Sequence, residues 1–299
     1  MIALTKIALA SIAFVILSTI IVVLWQRQPK APQIANTAQT QIEPQKEDTP
    51  TITPDDGSVI NSKTVKIQGK AQKDNTVIIY SNSFQDIIKA GGGGGFEKEA
   101  ALEDGLNLIK IIYLNPSLEV SGEFNLTLYS STDDVGDTAA AGSVKSIFDN
   151  LVTVTTTAGD VNVRTSKSTN FDVPEEEDVK EATSEVDNVR IGDYVIATGD
   201  ATDEDSILAK NFAVIREDKP QIEKQFIVAT MASTVRQNLF SAKNKGDNQI
   251  IEFTLNKNSQ ISLDGKSGKN TDIAKDKTAL VFFSKDDDSN LVSLIYLLP

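Results

Sequence analysis

A long uncharged apolar run near the N-terminus places the first constraint on this chain. The run from Ile7 to Trp25 contains no charged residue, and as a helix rising about 1.5 Å per residue it would cover roughly 28 Å. That length approaches the thickness of a bilayer core, and Trp25 followed by Arg27 is typical of the point where a helix leaves it. The pattern predicts a transmembrane anchor over residues 1–27, marked by Ile7, Trp25 and Arg27.

A cleaved signal peptide is the alternative interpretation of the same run. Signal cores are usually shorter and end at a small-x-small site, whereas bulky residues occupy 22–25 here, so an anchor is favoured. Only six residues precede the run, and the long C-terminal part is expected to cross the membrane. The predicted location is the cell membrane, single-pass, with the N-terminus inside and the C-terminal domains extracytoplasmic.

The residue types that are missing exclude several kinds of active site. The chain has no His and no Cys, which removes Ser-His-Asp and Cys-His nucleophilic sites and the usual zinc sites. Its net charge of −13 disfavours nucleic acid as a partner, because nucleic acids select basic surfaces. We therefore predict a protein that is not an enzyme and needs no cofactor, with Ca²⁺ as the one metal alternative.

A stalk and a first β-domain follow the predicted anchor. Residues 28–50 are rich in Pro, Gln and Thr and contain no aromatic residue, so they predict a disordered stalk. Residues 51–130 contain short segments in which apolar and polar residues alternate, for example Thr64–Gly69 and Leu106–Tyr113. Alternation with a period of two predicts strands with one buried face, and several such strands in 80 residues predict a β-sandwich.

The same stretch resembles bacterial immunoglobulin-like domains. The residues that carry the resemblance are Val65-x-Ile67-x-Gly69, Asp74-Asn75-x-Val77-x-Ile79 and Leu102-x-x-Gly105-x-Asn107-x-Ile109. The resemblance implies a sandwich of the kind found as spacers or adhesive modules in surface proteins. It departs from the family at Phe96, which follows a run of glycines where the family often has Asp-Gly.

The rest of the chain, after a predicted linker at 131–141, contains an internal repeat. Ser206 and Leu208 correspond to Ser289 and Leu291 at an offset of 83 residues, which predicts two copies of one unit over 142–217 and 218–299. Each copy contains five or six predicted strands, which suits a small closed barrel. The first copy resembles a domain family of unknown function in bacterial secreted proteins, which implies an oligonucleotide/oligosaccharide-binding-like barrel; its pattern includes Ile191-Gly192-Asp193-x-Val195.

Two acidic turns at matched positions of the repeat are the candidate metal ligands. Asp203 and Asp205 lie in one turn, and Asp286 and Asp288 lie in the other. Carboxylates can bind Ca²⁺, although neither turn has the spacing of a known calcium loop, and a solvated hairpin turn explains the same residues. A weak Ca²⁺ site is the alternative kept for these four residues.

The sequence as a whole predicts a mainly β protein with an N-terminal transmembrane helix, an immunoglobulin-like β-sandwich and two small OB-like β-barrels. The predicted function is that of a non-enzymatic envelope protein that presents its β-domains to a protein or glycan partner. Its predicted partners are the membrane, through the N-terminal helix, and a protein or glycan of the envelope. A glycan-binding adhesin and a carboxylate- or Ca²⁺-dependent hydrolase are the alternatives.

Overall fold

Strands make up almost all the regular structure that the computed structural model describes, which covers residues 51–174, 185–203, 205–286 and 289–298. The other regular elements in these ranges are two short 3-10 helices, Glu185–Asn188 and Asn270–Asp272. The mainly β character that the alternating segments predict is therefore confirmed.

The predicted fold class and the predicted single-pass location are corrected in one respect, the transmembrane helix. In the described ranges neither helix is long or apolar enough to cross a membrane, and this finding conflicts with a single-pass membrane protein. The anchor residues Ile7, Trp25 and Arg27 and the stalk at 28–50 lie outside the described residues.

The first eight strands form a sandwich of two sheets, called here the N-terminal sandwich. They are β1 Ile52–Thr53, β2 Ser58–Ile60, β3 Thr64–Lys70, β4 Thr76–Tyr80, β5 Gln85–Lys89, β6 Gly95–Ala101, β7 Gly105–Leu114 and β8 Val120–Ser130. Strands β1, β3 and β6 form one sheet, and the other has the order β2-β8-β7-β4-β5. Alternate residues such as Val77, Ile79 and Ile111 pack with Ile67 and Phe96 of the facing sheet in one buried core.

The next six strands form the first barrel. They are β9 Thr138–Phe148, β10 Leu151–Thr155, β11 Asp160–Arg164, β12 Asn170–Asp172, β13 Tyr194–Asp203 and β14 Ser206–Ile215. Five of them close into a ring in the order β9-β10-β11-β14-β13-β9, in which β11 and β14 are parallel and the other neighbours are antiparallel. Strand β12 lies beside β14, in parallel.

The last seven strands form the second barrel along the same path. They are β15 Gln225–Met231, β16 Leu239–Asn244, β17 Ile250–Thr254, β18 Gln260–Leu263, β19 Lys266–Ser267, β20 Thr278–Asp286 and β21 Ser289–Leu297. The ring order is β15-β16-β17-β21-β20-β15, again with one parallel neighbour pair, β17 and β21. Leu208 lies opposite Arg164 in the first barrel and Leu291 opposite Thr254 in the second, so these two leucines occupy equivalent positions.

Backbone pairing joins the sandwich to the first barrel. Strand β2 pairs with β8 on one side and, through Ser58 and Thr138, with β9 on the other. The sheet of the sandwich therefore continues into the first barrel, and β9 already begins at Thr138, inside the predicted linker at 131–141. Gly57, at φ +79°, accepts a 2.7 Å hydrogen bond from the Ala139 N–H, and a Cβ at Gly57 would lie 2.6 Å from the Ala139 carbonyl oxygen.

Apolar side chains join the sandwich to the second barrel, in a cluster called here the junction core. Its fully or largely buried members are Ile78, Tyr80, Ile112 and Leu114 from the sandwich, and Val228, Leu280, Phe282 and Leu294 from the barrel. In β20, Leu280 and Phe282 belong to the junction core, while Val281 and Phe283 belong to the barrel's own core. Both faces of this strand are therefore buried, as both faces of β4 are.

Candidate functional site

The acidic residues predicted from the sequence as candidate metal ligands lie in separate turns of the two barrels. Asp203 ends β13, Asp205 follows in the turn, and Asp286 ends β20, all with exposed side chains. Asp203 and Asp205 line a cleft of about 330 Å³ together with Asp55, Asp56 and Asp137, called here the acidic cleft. Asp288 lies outside the described residues.

The carboxylates of the acidic cleft are partly engaged by the protein itself. The Thr127 N–H donates to Asp56 at 2.5 Å, and burial raises the pKa of Asp56 against the opposing effect of that hydrogen bond. The Ala201 N–H donates to Asp137 at 3.0 Å and lowers the pKa of Asp137, helped by the Thr138 hydroxyl. Within the described ranges, no three or more acidic side chains are grouped so as to hold a metal ion, and the Ca²⁺ site stays a prediction.

A second cleft, of about 500 Å³, opens beside the junction core and is called here the junction cleft. Its floor is the outer face of the sandwich, where Tyr80 of β4 lies opposite Lys110 of β7, and Lys110 lies opposite Asn125 of β8. Residues opposite one another on paired strands share a face, so these three side chains form one row. Thr157, in the β10–β11 turn of the first barrel, lines the cleft on one side.

The segment that leads into the second barrel contributes the most unusual side chain of the junction cleft, Lys224. This lysine is only 8% exposed. Its ammonium donates to the Phe84 carbonyl at 3.3 Å and to the side-chain oxygen of Gln85. Burial lowers the pKa of Lys224 to about 8, because a low-dielectric environment disfavours the charged form.

The charge of Lys224 has no carboxylate partner in the described part of the chain, where the ion pairs involve other residues. The neighbouring Lys110, by contrast, is paired with Glu123 at 3.2 Å. An ammonium has three N–H donors, and the contacts to Phe84 and Gln85 leave one unused. A buried cation without a counter-charge is costly, which makes Lys224 the side chain of the cleft that most needs an anion.

Tyr80 adds a second polar group to the same cleft, at the end of a largely buried ring. It is 5% exposed, and its ring meets Phe282 edge-on at 5.8 Å between centroids. Its hydroxyl forms no hydrogen bond with another residue of the described ranges, and it is not among the fully buried polar atoms without a partner, so it reaches the open space of the cleft. Burial, and then the negative charge of Glu123, raises the pKa of Tyr80 to about 12, so the hydroxyl stays a neutral donor at neutral pH.

Neither the junction cleft nor Lys224 was predicted from the sequence. The available signal was the set of short continuous apolar runs, such as Val77–Tyr80 and Ala279–Phe283. A strand that is apolar at every position has both faces buried, and the outer faces of these two strands bury each other. Lys224 itself carried no signal, because its burial depends on how the barrel docks on the sandwich.

No protein-family model and no curated protein matches the chain. Among solved structures, the chain shows a likeness to one described as giving insight into "host cell surface retention of a 1.5-MDa bacterial ice-binding adhesin". That match has 11% sequence identity and a TM-score of 0.22, and it covers 83% of this chain and 96% of the other.

Proposed function

We propose that the protein is a non-enzymatic structural and interaction protein whose three β modules form one stiff scaffold. The observation that carries the proposal is the junction core, in which large apolar side chains of the sandwich and the second barrel are buried against each other. Domains of one chain usually move relative to one another unless their interface is large and apolar. Here the interface has the composition of a domain core.

Two further contacts support the same proposal. Asn82 of the sandwich donates to the Gln221 carbonyl and accepts from the Glu223 N–H, each at 2.8 Å, so it fixes the segment that leads into the second barrel. On the other side, the continuous pairing of β8, β2 and β9 fixes the first barrel. The scaffold would hold the surfaces of all three modules at constant distances from a partner.

The absence of cysteine allows a direct test of stiffness. Pairs of cysteines introduced at exposed positions, Glu103 with Lys167 and Glu103 with Asp247, can be spin-labelled in the full chain without background labelling. Electron–electron distance measurements should give one narrow distribution for each pair. Broad or bimodal distributions would contradict the scaffold, and carboxylate-dependent turnover in a hydrolase screen would contradict its non-enzymatic character.

A glycan-binding function is the second candidate, and the junction cleft is the observation that favours it. Sugar recognition requires several hydrogen-bonding side chains beside an apolar or aromatic surface. The cleft combines Asn125, Thr157 and Tyr80 with the half-buried ring of Phe226. A glycan array probed with the full chain tests this candidate, and uniform absence of binding would rule against it.

A further inference from the structure

We propose that the junction cleft binds a carboxylate-bearing sugar, with Lys224 as the residue that receives the carboxylate. The inference rests on the second candidate function and specifies its ligand class. It starts from an imbalance of charge, since this acidic chain, with a net charge of −13, has a buried lysine that forms no ion pair with a carboxylate of the described residues. Buried charges in proteins are normally paired, and a ligand carboxylate would supply the missing partner.

The geometry of the cleft fits a small polar ligand with one negative charge. Its volume of about 500 Å³ lies within the range of roughly 300–1,000 Å³ that is usual for small-molecule sites. Lys224 and Lys110 line it, and among the described residues a carboxylate, that of Glu123, neutralises Lys110 but none neutralises Lys224. The acidic cleft, which contains Asp203 and Asp205, is a separate surface with the opposite charge.

The neutral groups of the cleft fit the hydroxyls of a sugar. Asn125, Thr127, Thr157 and Gln225 line the cleft and offer donors and acceptors of the kind that sugar hydroxyls require. The Tyr80 hydroxyl is a neutral donor without a protein partner in the described ranges. A purely apolar acid would leave these groups unpaired on binding, which costs affinity.

Binding of a carboxylate should also change the protonation of Lys224. At about pH 8 the free protein holds this amine only partly protonated, and a bound carboxylate would favour the ammonium. The other titratable groups that line the cleft are Tyr80 and Lys110, the latter paired with Glu123; on β5, Asp86 is paired with Lys98. Tyr80 stays neutral, and the Lys110–Glu123 and Lys98–Asp86 ion pairs are already formed in the free protein. Proton uptake on binding would therefore report on the protonation of Lys224.

The test is isothermal titration calorimetry of the full chain with D-glucuronate and, as the matched neutral probe, D-glucose. We expect glucuronate to bind and glucose to bind at least about tenfold more weakly, as is usual when a charge-assisted hydrogen bond is lost. Titrations near pH 8 in buffers of different ionisation enthalpy should show net proton uptake, which should vanish near about pH 6.5. Equal binding of the two sugars would overturn the inference while leaving glycan binding intact, and binding of neither would overturn both.

Three variants complete the test. Lys224→Met keeps the length and apolar body of the side chain and should lower the affinity for glucuronate at least about tenfold, and it should abolish the proton uptake. Tyr80→Phe should lower the affinity about threefold, and Lys243→Met, at an exposed lysine of β16, should change nothing. Unchanged affinity and proton uptake in a folded Lys224→Met protein would overturn the proposal, and if that variant fails to fold, unchanged affinity in Tyr80→Phe would do so.

Discussion

The two barrels follow one strand path but are attached to the sandwich by different kinds of interaction. The first barrel is joined through backbone hydrogen bonds, since β2 bridges β8 and β9. The second is joined through side chains, in the junction core. Backbone pairing depends little on residue type, whereas an apolar junction requires particular side chains on the outer face of the barrel.

One pair of equivalent positions shows how the sequence makes this difference. Thr198 of β13 lies opposite Asn211, and Phe282 of β20 lies opposite Leu294; in both strands the pairing register shifts directly after this residue. Asn211 donates to the Thr198 hydroxyl at 3.1 Å, whereas Phe282 and Leu294 are buried against the sandwich. At this position a polar pair in the first barrel is replaced by an apolar pair in the second, which contributes to the apolar outer face of the second barrel.

The largest expected effect comes from removing the central ring of the junction core. Phe282→Ala should lower the free energy of unfolding by about 3–5 kcal/mol, as is typical for truncation of a fully buried aromatic side chain. The matched variant Thr198→Ala, at the equivalent position of the first barrel, should cost about 1 kcal/mol. Urea unfolding followed by fluorescence or circular dichroism measures both values.

The distance measurements sharpen this prediction. In Phe282→Ala the distance distribution between the spin labels on the sandwich and the second barrel should broaden. The distance distribution between the labels on the sandwich and the first barrel should stay narrow. A loss in Phe282→Ala no larger than that in Thr198→Ala would show that the two barrels are attached with similar strength.

A smaller effect is expected from the buried cation beside the second barrel. Lys224 has a pKa of about 8 in the folded protein, below its ordinary value of 10.5. Between these two values the unfolded chain binds more protons than the folded one, so this group makes stability rise with pH in that window. The gain between about pH 7 and pH 9.5 should be roughly 2 kcal/mol.

Lys224→Met should remove that gain, and the exposed Lys243→Met should retain it. The comparison uses the difference in free energy of unfolding between variant and wild type at each pH, so that other titrating groups cancel. A wild-type profile that runs parallel to that of Lys224→Met would mean that the burial of this lysine has no energetic consequence.

An effect of similar size is expected at the backbone junction of the first barrel. Gly57→Ala should cost about 1–3 kcal/mol, because the residue has φ +79° and its Cβ would lie 2.6 Å from the Ala139 carbonyl oxygen. Gly105→Ala is the matched control, with φ +85° and no atom within 4 Å of the Cβ, and should cost only the backbone strain of about 1 kcal/mol. Equal losses in the two variants, measured by thermal unfolding, would show that β2 and β9 can separate without penalty.

The sequence was sufficient to predict the strands and insufficient to predict how they are combined. Alternation in Thr64–Gly69 and the offset that relates Leu208 to Leu291 follow from local chemistry, and both correspond to strands in the structure. The β7 segment was interpreted as having one face in water, yet Ile112 and Leu114 are buried in the junction core. A period-two pattern identifies a strand, whereas burial of its second face depends on a partner distant in the chain.

The candidate site was less predictable than the fold, for the same reason. The acidic turns were visible as runs of acidic residues, but the association of Asp203 with Asp55 and Asp137 depends on where β2 and β9 pair. The burial of Lys224 depends on contacts with Phe84 and Gln85, about 140 positions earlier in the chain. Contacts over such separations leave no periodic pattern in the residues that make them.

The junction core has a consequence for synthesis on the ribosome. Ile78 and Tyr80 are translated about 200 residues before Leu280 and Phe282, which cover them. At roughly 5–20 residues per second, the strands of the second barrel that bury the outer face of the sandwich are synthesised about 10–40 s later. During that interval an apolar surface of the sandwich is exposed to solvent, so production of this protein should depend on chaperone capacity and on the speed of elongation through the last two thirds of the message.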